Sequence, residues 1–366
     1  MKVTYLLGSL DRGGTETLML DVFRNAKKNN LNASCIYRKP GVLEETFLNS
    51  GLEIIKLPVG KNILAYLLKL RCFLLKNKTQ IVHAQQPIDA FFAYFACQGT
   101  HIKVLLSLHG FDFNETKISN LILKFIIKRT ATNIYVSNTL RIHYTNKYKL
   151  NNEYQKKVYN GISFQKFDIT LKNNLNIRKE FNIKSDSLLL VSVGSFNEGR
   201  DQLTLCRFAN ELINKNIDFK LLLIGKRVDS CAYIYDNCVD YCKKNNLEDI
   251  VIFTGIRNDI PEILNQADCF VYATDHDTFG LAVVEAIAVG LPVFVNDWDV
   301  MNEITNNGEL ASLYKTKNEM DLVRKFILFL QNSNNKDKAL KSVEIIRNTY
   351  NIENHIKNLQ KIYDSF

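Results

Sequence analysis

The sequence predicts an α/β protein of two doubly wound parallel sheets facing each other across a cleft. Short apolar runs of strand length alternate with longer amphipathic stretches, as in a parallel sheet with crossover helices. The alternation breaks in a polar, Asn/Lys-rich linker at 165–185 and then restarts. A chain of 366 residues is long enough for two such domains. The expected division is 1–165, 166–345, and a C-terminal helix, 346–366, returning to the first domain.

Residues 2–7 read as a short buried strand. It runs into Gly13 and Gly14, then a helix over 15–28 with Leu18, Leu20, Val22 and Phe23 on its apolar side. Paired glycines before a helix let N–H groups approach a ligand closely, although such loops are also ordinary turns. The Gly-x-Gly-x-x-Gly dinucleotide fingerprint is absent, which disfavours a dehydrogenase. Strands follow at 33–37 and 52–57, with a short helix over 44–49 between them. Next come a helix over 63–76, a strand at 81–84, an aromatic helix over 90–97, and a strand at 103–108 ending at His109. A helix over 119–129 and strands at 133–137 and 156–160 complete the first half.

The second half resumes with a short helix over 177–181 and a strand at 188–193. A helix over 202–214, strand 220–224, helix 230–245 and strand 250–253 follow. The helix over 259–265 carries Pro261 early, where its missing N–H costs nothing. A strand at 269–273 leads into a loop holding Asp277, then a helix starting near Phe279. Gly290-Leu-Pro292, a strand at 293–295, and helices near 320–331, 336–349 and 352–365 end the chain. The loop before Phe279 lies at the carboxyl end of a strand, where open parallel sheets bind ligands. A helix start there offers N–H groups and a positive dipole end to phosphate. Glu285, two turns along among Val283, Val284, Ala286 and Ile287, needs a hydrogen-bonding partner, and a sugar diol would serve.

Charge narrows the function classes. Residues 1–165 hold 23 Lys+Arg and 10 Asp+Glu; subtracting from totals of 47 and 38 leaves 24 and 28 for the rest. A basic first half implies an anionic partner or surface, but no nucleic-acid recognition motif accompanies it. No uncharged run approaches the roughly 18–20 residues of a membrane span, and no secretory signal is read at the start, so a cytoplasmic protein is expected. Eight cysteines without Cys-x-x-Cys pairs suit a reducing compartment, and no metal site is assigned, even to Cys231, Cys238 and Cys242.

Val193-Gly194-Ser195-Phe196, Phe253-Thr254-Gly255, Asp268-Cys269-Phe270-Val271, Thr278-Phe279-Gly280-Leu281, Glu285-Ala286 and Gly290-Leu291-Pro292 resemble the motifs of the family 4 glycosyltransferases. Gly13-Gly14, His83, His109-Gly110 and Asn160-Gly161-Ile162 fall where that family has counterparts, so the resemblance covers almost the whole chain. It implies the GT-B architecture of two Rossmann-like domains. It implies retaining transfer of a hexose or N-acetylhexosamine from a nucleotide-sugar, UDP ahead of GDP, with no metal or other cofactor required. The implied acceptor is a glycan or a polyprenyl-diphosphate-linked glycan in O-antigen or capsule assembly.

The resemblance also implies residue roles. Glu285 binds the ribose; Asp277, Phe279, Gly280 and Leu281 hold the donor sugar and pyrophosphate. Arg200, with the Gly13 and Gly14 amides, stabilises the leaving diphosphate, and Lys226 supplements it. Ile256 and Arg257 meet the base, and His109 bonds the donor sugar. Asp277 departs from the family's Glu, Ser195 from its Arg, and Arg200 from its Lys. The Lys/Arg-bearing helices at 63–76 and 119–129 fit peripheral attachment to anionic lipid at the inner face of a membrane. The rival readings are a non-hydrolysing sugar-nucleotide epimerase and a catalytically silent nucleotide-sugar-binding subunit.

Overall fold

Among the described residues, thirteen short strands carry the architecture, all paired in parallel. They are seen in a computed structural model that describes residues 1–113, 116–168, 176–332 and 335–366. Residues 169–175 of the expected linker lie outside the described residues. The chain forms two compact units, Met1–Ser163 with Tyr350–Phe366, and Phe164–Thr349.

The first unit has β1 (Lys2–Ser9), β2 (Asn32–Lys39), β3 (Glu53–Lys56), β4 (Ile81–Ala84), β5 (Lys103–Leu108), β6 (Thr132–Tyr135) and β7 (Gln155–Lys157), in the order β3-β2-β1-β4-β5-β6-β7. Helices α1 (Gly14–Ala26), α2 (Glu44–Leu48), α3 (Ile63–Lys76), α4 (Pro87–Ala96), α5 (Lys117–Ile126) and α6 (Asn138–Tyr148) connect them. Interior strands covered on both faces read as continuous apolar runs, which is why they were legible. Helix α6 was not expected. Its buried face is Leu140, Tyr144 and Tyr148, an aromatic stripe at helical spacing within a polar sequence. The Ser137 side chain caps it by accepting the Leu140 N–H.

The C-terminal helix Ile352–Tyr363 belongs to this first unit. Ile352, Ile356, Leu359 and Tyr363 recur at helical spacing and enter its core with Leu18, Phe23 and Ile134. The Tyr363 hydroxyl meets the Tyr5 hydroxyl at 2.8 Å and His83 Nδ1 at 2.7 Å.

In the second unit, α7 (Ile177–Glu180) precedes β8 (Leu188–Val193), α8 (Gln202–Asn214), β9 (Phe219–Ile224), α9 (Tyr233–Lys244) and β10 (Val251–Gly255). Then come α10 (Ile260–Gln266), β11 (Cys269–Tyr272), α11 (Leu281–Ala288), β12 (Val293–Asn296), α12 (Asp299–Ile304), β13 (Ser312–Tyr314), α13 (Glu319–Leu330) and α14 (Asn335–Thr349). The sheet order is β10-β9-β8-β11-β12-β13. Strand β13 and helix α12 were not expected, being three and six residues long. β13 is held by pairing with β12 and by the Tyr314 hydroxyl, which donates to the Tyr272 carbonyl at 2.7 Å. The expected helix over 230–245 begins instead with a 3-10 turn, Asp229–Cys231. Cys206, Cys238 and Cys242 are packed into the apolar core of this unit. Among the described residues no helix is long and apolar enough to cross a membrane, and no group of three metal-ligating side chains occurs.

Candidate functional site

Strand order places the site of the second unit. From β8 the chain winds outward through β9 and β10, then returns to the other side of β8 and continues through β11, β12 and β13. The reversal falls between β8 and β11, and the crevice outside their carboxyl ends is the expected ligand seat. The loop after β8 carries Gly194 to Arg200, and the loop after β11 carries Ala273 to Gly280. The two loops are joined. Arg200 and Thr274 form an antiparallel bridge, and the Gly199 carbonyl accepts from Thr274 Oγ1 at 2.6 Å and from the Asp275 N–H at 2.9 Å. Gly199 has φ +93°, which favours glycine, and a Cβ there would also displace the His276 ring, 2.9 Å away. Asn296, buried at the end of β12, clamps Thr274 through its N–H at 2.9 Å and its carbonyl at 2.8 Å.

This clasp brings Arg200 and Asp277 together. Arg200 Nη1 donates to Asp277 Oδ2 at 2.8 Å, and the Tyr272 hydroxyl donates to the same oxygen at 2.5 Å. Asp277 Oδ1 accepts the N–H groups of Thr278 at 2.7 Å and Phe279 at 3.3 Å. The Trp298 indole donates to the Asp277 carbonyl at 3.0 Å. Both carboxylate oxygens are thus engaged within the protein. Asp277, expected to hold the donor sugar, is placed where its carboxylate also ties Arg200, Tyr272 and the loop's own N–H groups together.

Helix α11 starts at Leu281, two residues later than expected, because Gly280 adopts φ +79°. A Cβ on Gly280 would also strike the Met301 side chain at 2.8 Å. Phe279 is buried, with its N–H turned to Asp277, so it offers a ligand neither side chain nor amide. No acceptor among the described residues meets the N–H groups of Gly280, Leu281 and Ala282, and no side chain caps the helix. That uncapped start suits an anion.

Glu285 lies about one turn into α11 with its side chain 17% exposed. The partner its setting demands includes Lys166, whose Nζ is 3.3 Å from Oε1. Sequence reasoning missed Lys166, because it reaches α11 from the far end of the unit's chain and no periodicity links the two.

Arg257 is otherwise employed. It donates to Asp259 Oδ1 at 2.8 Å and Oδ2 at 2.6 Å, and to both carboxylate oxygens of Glu180. These two acids raise its pKa. The guanidinium, expected at the base, ties α7 to the start of α10. Ile256 stands 57% exposed beside it. Lys226 and Ser195, on the loops after β9 and β8, are exposed and half-buried respectively.

In the first unit the reversal falls between β1 and β4. A cavity of about 510 Å³ opens near there, lined by Thr15, Gln85, His109, Phe111, Ser119 and Tyr144 among others. His109 Nε2 lies 2.8 Å from Gln85 Oε1. Desolvation, then the nearby His355, lowers its pKa to about 4, so it is a neutral imidazole at pH 7. His83 is buried between Tyr363 and Ser107 and is lowered to about 3, mainly by burial. Asp112 is locked by His143 at 3.0 Å, Lys147 at 2.8 Å and Tyr148 at 2.6 Å. Gly13 precedes α1 and Gly14 opens it, but a Cβ on Gly13 would lie 2.5 Å from Glu16 Oε2. The Glu16 carboxyl, its pKa raised mainly by burial, lies close to that glycine.

Residues 173–349 match the model for glycosyl transferases group 1, and residues 12–166 match that for glycosyltransferase family 4. The N-acetyl-alpha-D-glucosaminyl L-malate synthase of Bacillus anthracis is 28% identical over 65% of this chain and 62% of its own length. The UDP-Gal:alpha-D-GlcNAc-diphosphoundecaprenol alpha-1,3-galactosyltransferase of Escherichia coli is 24% identical over 80% of this chain and 79% of its own. The crystal structure of Anabaena HepE in complex with UDP-glucose superposes with a TM-score of 0.88 over the whole of both chains, at 15% identity, a likeness of fold. Two parallel sheets wound in the same way, and two family models that between them take in nearly the whole sequence, make this chain a group 1 glycosyltransferase of GT-B fold.

Proposed function

We propose that the chain moves a hexose or N-acetylhexosamine, with retention of configuration, from a nucleotide-sugar to a glycan or polyprenyl-diphosphate-linked acceptor in surface-polysaccharide assembly. The observation that carries this reading is the Arg200 guanidinium at the sheet reversal, bonded to the Asp277 carboxylate that also caps the loop leading into the uncapped start of α11. As the glycosidic C–O bond breaks, negative charge gathers on the departing diphosphate while the sugar becomes oxocarbenium-like. A cation and N–H groups already aimed at that charge lower the barrier without reorganising. Arg200 and the amides of Gly280, Leu281 and Ala282 fill that role, so the leaving group needs no metal. Glu285 accepts the ribose hydroxyls, with Lys166 beside it offsetting its charge. Neutral His109 hydrogen-bonds the donor sugar. The E. coli relative's name and the Anabaena neighbour's ligand support UDP as the carrier and a lipid-linked acceptor.

The test of the ribose assignment is Glu285→Ala. Its donor KM should rise about tenfold to a hundredfold, the worth of hydrogen bonds to a charged acceptor, with a smaller effect on kcat. An unchanged KM across UDP- and GDP-sugars would remove Glu285 from the site.

The same reading places the protein on the cytoplasmic face of a membrane. α4 packs between α3 and α5. Leu64, Leu68 and Leu75 on α3, Phe95 on α4, and Ile118 and Leu121 on α5 are exposed, interspersed with exposed Lys69, Lys76, Lys117 and Lys124. Apolar side chains among lysines suit the headgroup boundary of anionic lipid. Sedimentation with phosphatidylglycerol vesicles should be strong at low salt and weakened at high salt. The double variant Leu68→Ser/Leu121→Ser should reduce it in both. Equal recovery with neutral vesicles would contradict an anionic surface.

A further inference from the structure

Arg200 and Arg257 have nearly equal exposure, 21% and 19% of their side chains, but unequal satisfaction. Arg257 spends its guanidinium on two carboxylates. The Arg200 guanidinium donates one hydrogen bond to the described residues, from Nη1 to Asp277. A guanidinium with N–H groups to spare swings freely on its long stem unless something else fixes it. Two contacts do so. Asp277 Oδ2 holds one nitrogen, and the Tyr272 ring lies beneath the plane with its centroid 4.7 Å from Cζ. Space beside Gly194 is also limited: a Cβ there would sit 3.4 Å from Nε and 3.5 Å from Cζ.

Tyr272 touches both members of the pair. Its ring supports the cation and its hydroxyl, 2.5 Å from Asp277 Oδ2, shares the oxygen that Arg200 bonds. The residue is 2% exposed at the last position of β11, so it is buried beneath the pair. Its backbone is pinned from behind by the Tyr314 hydroxyl at 2.7 Å. A hydroxyl donating to Oδ2 leaves the carboxylate one orientation in which Oδ1 still caps Thr278 and Phe279. Asp277 is one methylene shorter than Glu, and the tyrosine hydroxyl fills the reach it lacks.

We propose that Tyr272 is a positioning residue for diphosphate recognition: through Asp277 and its own ring it fixes Arg200 with its unbonded N–H edge presented to the donor's diphosphate. This rests on the reading of Arg200 as the diphosphate cation, and it adds that the cation works only while Tyr272 holds it. Tyr272 meets no substrate itself. Its removal therefore weakens recognition of the diphosphate and leaves recognition of the nucleoside unaltered.

The test compares nucleoside and nucleoside diphosphate affinities by calorimetry, using uridine with UDP and guanosine with GDP. The wild type should bind one diphosphate far more tightly than its nucleoside. Arg200→Ala should abolish most of that ratio, and Tyr272→Phe should reduce it by about tenfold, the value of a charge-assisted hydrogen bond. Tyr314→Phe is the structural control, since it removes a buried hydroxyl bonded to the same residue and should lower Tm with the ratio intact. If Tyr272→Phe fails to fold, Asp277→Asn turns an amide toward both donors, and the same loss is expected. If the wild type shows no diphosphate preference, the functional reading fails. If the wild type and Arg200→Ala behave as stated but Tyr272→Phe keeps the full ratio, the positioning role alone is overturned. An equal loss in Tyr314→Phe also overturns it, because general loosening of the strand would then explain the effect.

Discussion

Arg200→Ala lowers kcat by about a hundredfold to a thousandfold, the cost of removing one preorganised donor to developing negative charge. The donor KM rises as well, because a contact to the diphosphate is lost, but by less than kcat falls, because the arginine matters most as the bond breaks. The loss is sharpened by what stays behind. Asp277 loses the cation paired with it at 2.8 Å, and its carboxylate then faces the diphosphate uncompensated. Arg200→Lys keeps the charge but replaces the planar fork with a point charge above Tyr272, so partial activity is expected. A steady-state comparison of wild type, Arg200→Ala and Arg200→Lys on a single donor measures this. If kcat is unaffected and KM alone rises, the arginine binds the donor without favouring the transition state.

Acid unfolds the first unit well above the pH at which carboxylates protonate. His83, His109 and His355 have pKa values lowered to about 3, about 4 and about 4, in each case mainly by desolvation. An unfolded histidine titrates near 6.5. Between about pH 6.5 and 4 the unfolded chain therefore binds protons that the native chain refuses, and stability falls as pH falls. The contribution is fully present above the unfolded value and lost toward the folded one. A shift of this size is worth about 3 kcal/mol per histidine at pH 4, so two or three together are comparable with the roughly 5–15 kcal/mol of a typical domain. His355 Nδ1 bonds the Tyr159 carbonyl at 2.7 Å and His83 bridges Tyr363 and Ser107, so these two report on the seat of the C-terminal helix. Circular dichroism and tyrosine fluorescence from pH 7.5 to 3.5 should show cooperative loss between about pH 6 and 4. A stability that stays flat down to pH 4 would contradict neutral buried imidazoles.

Legibility in the sequence followed the range of the interaction. Val-, Ile- and Leu-rich runs such as 188–193 declare buried parallel strands by themselves, and the loops after them locate the site. Gly280 and Asp277 were legible for the same reason, since a strand end, an acid and a glycine lie within a dozen residues. Helix α6 was not, because its buried stripe is tyrosine in a polar context, and β13 was not, because three residues carry no periodicity. The site contacts not foreseen span long separations. Nothing local to Arg257 announces Glu180, nothing near Glu285 announces Lys166, and Arg200 meets Asp277 only because β8 and β11 are neighbours. Tyr272 read as one more apolar strand residue, although its hydroxyl touches the centre of the site.

The most direct measurement is the proton NMR spectrum of the product formed from α-linked UDP-hexoses and UDP-N-acetylhexosamines on a polyprenyl-diphosphate-linked glycan, with EDTA present. The account predicts a new α-glycosidic anomeric signal, formed at the same rate with and without EDTA and nearly absent with Arg200→Ala. A β-linked product, transfer abolished by EDTA, or free sugar released at the same rate without acceptor would contradict it.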